Sequence, residues 1–456
     1  MEGIDLKGKR VLVVGLGRSG TAAINTLRKL GAEVIGNDRK SRKELGEVVD
    51  RLEEEGIRLL LGSHPIELLD AIDLIIVSPG VPSDNPILVE AQGRGIPVWG
   101  EVELAYRISR VPFIGITGTK GKSTTATLVG EMLKRGRFDR VVTAGNIGTA
   151  LCQEVLDLKE RDIIVAEVSS FQLETIERFR PHVAVMLNIH RDHMDRHRDM
   201  KEYIAAKSRI FENQTEDDFA VINADDPIVT SISQGIRSKV IPFSLRRKIK
   251  GGVYLEEGWL VSEIRGDHSR IIAGEKVKLM GRHNLSNIAA AIAVSMVMGI
   301  EAEKIAEVVS EFRGIEHALE IVGRINGVTY INDTKATNVA ATKAALEALP
   351  GDVVLIMGGV DKGNDYEELR ELIEKKVRHL ILLGIEVGKI EDAFRGICPM
   401  HRAEDMREAV YLASSLASPG GYVLLSPANA SFDLFRDYRE RGERFKEAVN
   451  AIRSSR

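Results

Sequence analysis

A glycine-rich segment in the first third of the 456-residue chain has the residue types that bind a nucleoside triphosphate. Gly118-Thr-Lys-Gly-Lys-Ser-Thr124 follows an apolar run and opens a helical pattern. In such a loop, backbone amides surround the β and γ phosphates, Lys122 neutralises them, and the Ser123 hydroxyl ligates Mg²⁺. The segment is a variant of the standard motif, since Ile116 occupies the position of its first glycine. It predicts ATP rather than GTP, because the guanine-reading Asn-Lys-x-Asp motif is absent from the sequence.

Polar residues that could complete a magnesium site follow two later apolar runs. Glu167 stands just after the predicted strand Ile163–Val165, and three histidines and two aspartates lie within residues 190–197, after the run Val183–Leu187. At the carboxyl edge of a parallel sheet, Glu167 can face the phosphate loop, although it could also be a helix cap or a surface acid. The spacing within 190–197 is not that of a zinc site, so this segment predicts a charged site of another kind. Lys207, further along, has the pattern of an ordinary helix lysine.

A second glycine-rich loop lies near the N-terminus. Gly15-Leu-Gly-Arg-Ser-Gly20 directly follows an apolar run and opens a helix, and Asp38 ends the next predicted strand. Glycines allow the backbone to approach a diphosphate, and an acidic residue can bind ribose hydroxyls. These residues alone leave three alternatives: a dinucleotide such as NAD, another diphosphate-linked nucleotide such as a UDP-sugar, or a tight turn with no ligand.

The elements that position these residues form an alternation of short apolar runs and longer helical patterns, which predicts the α/β class with parallel sheets. The predicted strands are Val11–Val14, Leu74–Val77, Phe113–Ile116, Ile163–Val165, Val183–Leu187, Val353–Met357, Leu380–Leu383 and Tyr422–Leu425. Residues 250–272 depart from this rhythm and predict an antiparallel meander. The length suggests about three domains, and joints near Gly100 and Gly314 give the boundaries 1–100, 101–313 and 314–456.

The composition excludes several classes of protein. Hydrophobic residues make up 44% and charged residues 29% of the chain, and the longest apolar stretch, Ile288–Ile300, is too short to span a membrane. A net charge of -4 gives no reason to expect nucleic acid as a partner. Cys152 and Cys398 form neither a disulfide framework nor a metal pair, and the N-terminus lacks a signal-peptide pattern. We therefore expect a cytoplasmic protein without membrane or nucleic-acid partners.

Seven segments resemble, in residues and in order, motifs of the Mur ligases, and the nearest resemblance is to the D-glutamate-adding branch. The segments are Gly118–Thr124, Glu167–Glu174, Asp192–Arg196, Ala205–Ile210, Gly281–Asn287, Asn332–Asn338 and Ser426–Asp433. The resemblance extends from Gly15 to Tyr438. It implies an α/β protein of three domains: an N-terminal Rossmann-like domain, a central P-loop ATPase domain with a mostly parallel sheet, and a C-terminal Rossmann-like domain.

The resemblance also implies an activity. An ATP-dependent amide ligase would add D-glutamate to UDP-N-acetylmuramoyl-L-alanine through an acyl phosphate, in peptidoglycan precursor synthesis. Its partners would be these small molecules, and we expect a monomer. The alternatives are a Mur-type ligase for another amino acid, an NAD-dependent oxidoreductase, and a non-catalytic ATP-binding protein. The last is favoured only by His317-Ala318, where the family usually has His-Arg.

By the same resemblance, residues of this chain acquire expected roles. Lys122 would hold the β and γ phosphates, Ser123 and Glu167 would bind one Mg²⁺, and His193 would bind a second together with a carbamate on Lys207. The expected ATP contacts are Gly118, Thr119, Lys120, Gly121, Lys122, Ser123, Thr124, Asn284, Asn287, His317 and Asp333. The expected contacts of the UDP substrate are Gly17, Arg18, Ser19, Asp38, Arg39, Ser78 and Asn146. The expected contacts of D-glutamate are Lys335, Thr337, Lys362, Ser431, Phe432 and Tyr438.

Overall fold

The computed structural model describes residues 4–194, 196–264, 266–279, 281–361 and 364–454, which form three sheets flanked by helices. The chain divides into two compact units. The first holds residues up to Val277 together with His283–Glu311, and the second holds Lys278–Arg282 and the chain from Phe312 onward. Among the described residues, we find no helix that is both long and apolar enough to cross a membrane.

The first sheet has five parallel strands in the order β3-β2-β1-β4-β5. Its strands are β1 (Arg10–Val14), β2 (Glu33–Asp38), β3 (Arg58–Leu61), β4 (Leu74–Val77) and β5 (Val98–Gly100). Its helices are α1 (Arg18–Lys29), α2 (Arg42–Leu45), α3 (Glu47–Glu54) and α4 (Pro86–Gly93). The strand order reverses at β1, so the glycine-rich loop after β1 lies at the switch point where open α/β sheets bind ligands.

The middle sheet has nine strands in the order β14-β13-β12-β11-β10-β9-β6-β8-β7. They are β6 (Phe113–Thr117), β7 (Val141–Gly145), β8 (Ile163–Glu167), β9 (Val183–Met186), β10 (Phe219–Asn223), β11 (Lys239–Ser244), β12 (Val253–Glu256), β13 (Trp259–Ser262) and β14 (Ser269–Ala273). The helices are α5 (Glu101–Ile108), α6 (Lys122–Leu133), α7 (Leu151–Glu154), α8 (Ser170–Leu173), α9 (Met200–Ser208), α10 (Pro227–Ser233), α11 (Arg282–Val297) and α12 (Ala302–Glu311). β12, β13 and β14 pair antiparallel, which confirms the predicted meander.

The third sheet has six strands in the order β15-β16-β20-β17-β18-β19, of which only the edge pair β15 and β16 is antiparallel. They are β15 (Glu320–Ile325), β16 (Val328–Asn332), β17 (Val353–Gly358), β18 (Val377–Leu383), β19 (Met400–Ala403) and β20 (Tyr422–Ala428). The helices are α13 (Val339–Ala348), α14 (Arg370–Lys376), α15 (Gly388–Phe394), α16 (Met406–Leu416) and α17 (Tyr438–Ser454).

The predicted α/β class is confirmed, and every predicted strand coincides with an observed one. Only Leu187, one residue beyond β9, lies outside. The reason for this agreement is burial on both faces. All five residues of β6 and all four of β4 are buried, as expected for strands covered by helices on both sides.

Candidate functional site

The phosphate loop joins β6 to α6 and requires glycine at two positions. Gly118 has φ +154° and Gly121 has φ +86°, which L side chains rarely adopt. A Cβ on Gly121 would lie 2.2 Å from Oδ1 of Asn287, a predicted ATP residue on α11, and the other predicted residue of that helix, Asn284, is also buried. Asn188, which was not predicted from the sequence, bonds the loop: its carbonyl accepts from Thr119 N at 3.0 Å.

Lys122 stands at the first position of α6, with Ser123 and Thr124 beside it in the first turn. Its Nζ donates to the carbonyls of Gly118 and Thr119, each at 2.9 Å, so the ammonium group lies over the loop. Lys120 is exposed, and its N–H donates to Asn188 Oδ1 at 2.8 Å. A helix N-terminus with a lysine above it attracts and holds phosphate.

Glu167 ends β8, the strand next to β6, and is only 1% exposed. Its register partner is Ile116, which places the carboxylate beside the beginning of the phosphate loop. Oε1 accepts from Asn146 Nδ2 at 2.8 Å, while Oε2 is buried without a hydrogen-bond donor among the described residues. A buried carboxylate oxygen without a donor is costly, and a cation ligated there would remove that cost. The prediction that Glu167 faces the loop agrees with this position.

Lys207 lies on α9 and is 2% exposed, although its sequence pattern is that of an ordinary helix lysine. Its Nζ donates to the carbonyl of Gly118 at 3.0 Å and to Thr117 Oγ1 at 3.4 Å. Burial, followed by the charge of Lys122, lowers the pKa of this amine to about 7. A substantial fraction of the amine is therefore neutral near neutral pH, and a neutral amine is a nucleophile.

The three described histidines of residues 190–197 have different environments. His193 has φ +57° and a 46% exposed side chain, and its ring lies 5.0 Å from that of Phe171. His190 is exposed, and its backbone N–H donates to Thr119 Oγ1 at 3.0 Å. His197 is buried, and its Nε2 shares a hydrogen bond of 3.0 Å with Ser170 Oγ. Burial lowers the pKa of His197, and its contact with Ser170 ties the ring to the first residue of α8. Asp195 lies outside the described residues.

A cavity of about 230 Å³ opens beside Asn146. Its lining is Pro79, Gly80, Asn146, Ser169, Phe171 and Arg196. Arg196 donates to the carbonyl of Val81 at 2.7 Å and lies 5.0 Å over the Phe171 ring. Because Asn146 also bonds Glu167, the cavity leads to the edge of the phosphate site. Of these residues, only Asn146 was predicted from the sequence to contact the substrate.

The N-terminal glycine loop is shaped by two of the predicted nucleotide contacts. Ser78 Oγ donates to the Gly15 carbonyl at 2.8 Å, and Asp38 Oδ2 accepts from Leu16 N at 2.7 Å. Gly15 has φ +92°, and a Cβ there would lie 2.8 Å from the Cβ of Ser78. Asp38 and Ser78 therefore hold the loop backbone, in addition to any contact with a ligand.

The remaining predicted contacts of the UDP substrate lie around the start of α1. Gly17 is its N-cap, Ser19 is half-buried in its first turn, and Arg39 is exposed after β2. Arg18 donates to the carbonyls of Gly148 at 2.8 Å and Gly145 at 2.9 Å. Arg18 thus ties the first loop to the loop that carries Asn146, which the sequence did not predict.

In the second unit, three predicted residues meet at one edge of the third sheet. Asp333 follows β16 and is buried, and it accepts from Ser426 Oγ at 2.8 Å and from Leu319 N at 3.0 Å. Burial raises the pKa of its carboxyl to about 7. His317 is also buried, which lowers the pKa of its ring, and its carbonyl accepts from Lys335 N at 3.0 Å.

The residues predicted to bind D-glutamate lie along the same edge. Lys335 and Thr337 are half-buried in the segment after β16, and Ser431 is buried in the segment after β20. Phe432 is 66% exposed. Tyr438 begins α17, with its ring 6.3 Å from that of His317. Lys362 lies outside the described residues.

Comparison with protein families gives three matches, in chain order. Residues 9–100 match the "Mur ligase MurD-like, N-terminal domain", residues 116–295 the "Mur ligase middle domain", and residues 319–429 the "Mur ligase, glutamate ligase domain". Two relatives named UDP-N-acetylmuramoylalanine–D-glutamate ligase match nearly end to end. The protein from Clostridioides difficile strain 630 is 43% identical over 99% of this chain and 100% of its own length. The protein from Pelotomaculum thermopropionicum is 45% identical over 98% and 99%.

Solved structures of lower identity share the fold. UDP-N-acetylmuramate-alanine ligase MurC from Thermotoga maritima has a TM-score of 0.59 at 20% identity, over 98% of this chain and 100% of that one. MurF ligase from Thermotoga maritima, in complex with ADP, has a TM-score of 0.57 at 17% identity, over 98% and 96%.

Proposed function

The chain belongs to the Mur ligase family, and on that premise we propose that it is an ATP-dependent ligase that joins D-glutamate to UDP-N-acetylmuramoyl-L-alanine in peptidoglycan precursor synthesis. One observation carries this proposal: the chain is 43% and 45% identical, over at least 98% of its length, to two proteins that bear the name of this activity. The arrangement of charged groups around the phosphate loop supports the same chemistry.

The proposed reaction has two steps. The alanyl carboxylate attacks the γ-phosphorus of ATP, which releases ADP and forms an acyl phosphate. The amine of D-glutamate then attacks the acyl carbon, and the tetrahedral intermediate loses phosphate and a proton to give the amide. Phosphoryl transfer between anions depends on positive charge and fixed geometry. The helix N-terminus, with the Lys122 ammonium 2.9 Å from two carbonyls of the loop, supplies both.

The residues near the loop fit Mg²⁺. Ser123 and Glu167 offer hard oxygen ligands, and the buried Glu167 Oε2 has no donor among the described residues. Mg²⁺ would neutralise charge on the transferred phosphoryl group. We assign Ser123 and Glu167 to one ion and His193 and Lys207 to a second.

Lys207 fits a metal site only after modification, because an ammonium group cannot ligate a cation. We propose that its neutral amine attacks the carbon of CO₂ and releases a proton to solvent, which leaves an anionic carbamate with oxygen ligands. Its pKa of about 7 favours this reaction, and its hydrogen bond to the Gly118 carbonyl places the amine beside the phosphate loop.

We assign the substrates to three domains, with boundaries 1–100, 101–313 and 314–456. The first would bind the UDP moiety through the loop held by Asp38 and Ser78, and the cavity beside Asn146 would lead the muramoyl-alanyl part toward Glu167. The second would bind ATP. The third would bind D-glutamate along the edge that carries Lys335 and Ser431.

Phosphate release tests the proposal. The protein is incubated with ATP, Mg²⁺ and UDP-N-acetylmuramoyl-L-alanine, and each candidate amino acid is added in turn. We expect rapid release with D-glutamate and a ligated product of the corresponding mass. Release with L-alanine or a diamino acid but not with D-glutamate would reject the assignment. No release with any amino acid would favour a non-catalytic ATP-binding protein.

A further inference from the structure

Arg441, near the start of α17, is 2% exposed, and its guanidinium group lies at the centre of the edge that carries the proposed amino-acid site. Its Nε donates to Thr334 Oγ1 at 2.8 Å. Its Nη2 donates to the carbonyls of Thr334 and Asn429, each at 3.1 Å. Its Nη1 donates to the carbonyl of Gly358 at 3.5 Å. One side chain therefore bonds three separate segments of the chain.

These three segments lie at the carboxyl ends of β16, β17 and β20, which are neighbours in the order β16-β20-β17. Because the strands are parallel, the segments leave the sheet at the same edge. Thr334 directly precedes Lys335, and Asn429 lies two residues before Ser431. The guanidinium group therefore bonds the backbone within two residues of two proposed D-glutamate contacts.

The segments depend on such a bond because their backbone is irregular and closely packed. Gly358 has φ +142°, Gly359 has φ +111° and Ala428 has φ +61°. A Cβ on Gly359 would lie 3.1 Å from Nη1 of Arg441 and 2.1 Å from the carbonyl oxygen of Ala430. The guanidinium group thus fills the space that the segments enclose, and its removal would leave their carbonyls without these donors.

Only a guanidinium group fits this place. Its planar fork carries five N–H donors in fixed directions, whereas a lysine has one nitrogen and cannot reach three segments at once. Its acceptors here are all uncharged oxygens, so its positive charge is not neutralised by direct hydrogen bonds. Burial lowers the pKa of Arg441 only to about 10, so it stays charged at neutral pH. The negative charge of Asp433 favours this charged form.

We propose that Arg441 is a positioning residue for D-glutamate: it holds the segments at the carboxyl ends of β16, β17 and β20 in the arrangement that binds the amino acid. This inference rests on the proposed function.

The test compares Arg441→Lys with Thr334→Val, which keeps the arginine and removes both the Oγ1 acceptor of its Nε and the bond that this hydroxyl donates to the Tyr438 carbonyl. Misplacement of a binding group by about 1 Å costs up to about 10²-fold. We expect Arg441→Lys to raise KM for D-glutamate by about tenfold or more and Thr334→Val to raise it by about threefold. The KM for UDP-N-acetylmuramoyl-L-alanine, assigned to the other unit, stays within about twofold. Arg444→Lys, an exposed substitution on the same helix, is the matched control and keeps wild-type constants.

The outcomes separate this inference from the proposed function. If the wild-type protein does not use D-glutamate, the proposed function fails, whatever the variants do. If the wild-type protein uses D-glutamate and Arg441→Lys keeps its KM, the inference is wrong. Equal rises in KM for both substrates, together with a lowered melting temperature by circular dichroism, would show that Arg441 only stabilises the fold and would also reject the inference. Thr334→Val decides the matter if Arg441→Lys does not fold, since an unchanged KM in that variant also rejects the inference.

Discussion

Lys207 in the first unit and Arg441 in the second are both buried cations, but they differ in chemistry. Each is 2% exposed, and each donates to uncharged oxygens of a loop at the carboxyl edge of a parallel sheet. Burial lowers the pKa of Lys207 to about 7 and that of Arg441 to about 10. At neutral pH the lysine can therefore become a neutral amine, whereas the arginine keeps its charge.

The comparison explains the choice of residue at each place. A site that needs a reactive nitrogen requires a lysine, because its pKa falls readily when it is buried. A site that needs several fixed bonds requires an arginine, because its fork reaches several acceptors and remains protonated. Equal burial thus makes Lys207 a reactive amine beside the phosphate loop and leaves Arg441 a charged hydrogen-bond donor that joins three segments at the proposed amino-acid site.

The largest expected effect comes from Lys207→Arg, which places a permanently charged guanidinium group beside the phosphate loop, as Arg441 does at the proposed amino-acid site. Arginine stays charged and cannot form the proposed carbamate, so we expect phosphate release to fall by about 10³-fold. Lys207→Ala should be equally inactive and regain part of its activity with added acetate or formate, whose carboxylates replace the carbamate oxygens. Near wild-type activity of Lys207→Arg in the steady-state assay would contradict the carbamate.

Glu167→Gln tests whether the buried carboxylate makes the first region a metal site. The amide cannot supply the anionic ligand, so we expect kcat to fall by about 10²-fold and the Mg²⁺ concentration for half-maximal activity to rise. Glu131→Gln, an exposed acid on α6, is the control and leaves both unchanged. An unaltered Mg²⁺ titration for Glu167→Gln would exclude this carboxylate as a ligand.

Substitution by methionine should affect the stability of the two regions in opposite directions. Lys207→Met removes a buried amine whose lowered pKa opposes folding at pH 6, and should stabilise the first unit at that pH by on the order of a few kcal/mol. Arg441→Met leaves carbonyls of three segments without donors and should destabilise the second unit by about 3 kcal/mol. Urea unfolding, with amide exchange followed separately in residues 113–133 and 328–335, measures each effect locally. Destabilisation by both substitutions would show that Lys207, like Arg441, mainly stabilises the fold through its hydrogen bonds.

The smallest effect is a pH dependence. The carbamate forms only from the neutral amine. When CO₂ is limiting, the rate of phosphate release should therefore rise with pH through about 7, by up to about tenfold per pH unit below that value. Burial also raises the pKa of Asp333 to about 7, so the control must retain this group. Lys207→Ala supplied with formate does so and should lack the extra rise. Identical pH profiles for the wild-type protein and the formate-supplied variant would show that Lys207 does not cause the rise in activity.

The stability of the folded state should follow the same group. Between pH 7 and the ordinary lysine pKa of 10.5, the unfolded chain binds a proton at Lys207 that the folded chain does not, so the free energy of unfolding rises with pH across this window. Lys207→Met should lack this contribution in the same urea measurements.

The local signals of the sequence predicted the strongly apolar strands and the phosphate loop. The run Phe113–Ile116 and the glycines at 118 and 121 lie where the structure has β6 and its loop. A buried strand requires a run of apolar residues and a positive φ angle favours glycine, so both features can be read from a short stretch of sequence. The ligand of the N-terminal glycine loop could not be predicted from its residues in the same way. Its residues allowed a dinucleotide, a UDP-sugar or a plain turn, and the family match to residues 9–100 placed it among the Mur ligases.

The sequence by itself thus determined the strongly apolar strands, the order of the motifs and the residue types at the phosphate site, because each depends on residues close together in the chain. Only the tertiary structure decided which cations are buried. Lys207 has the pattern of an ordinary helix lysine, and Arg441 is one of three arginines in Arg439-Glu-Arg-Gly-Glu-Arg444. Arg444 is exposed, whereas Arg441 meets residues up to 107 positions away. Burial is set by such distant contacts, and burial determines whether a cation reacts, cross-links or is simply solvated.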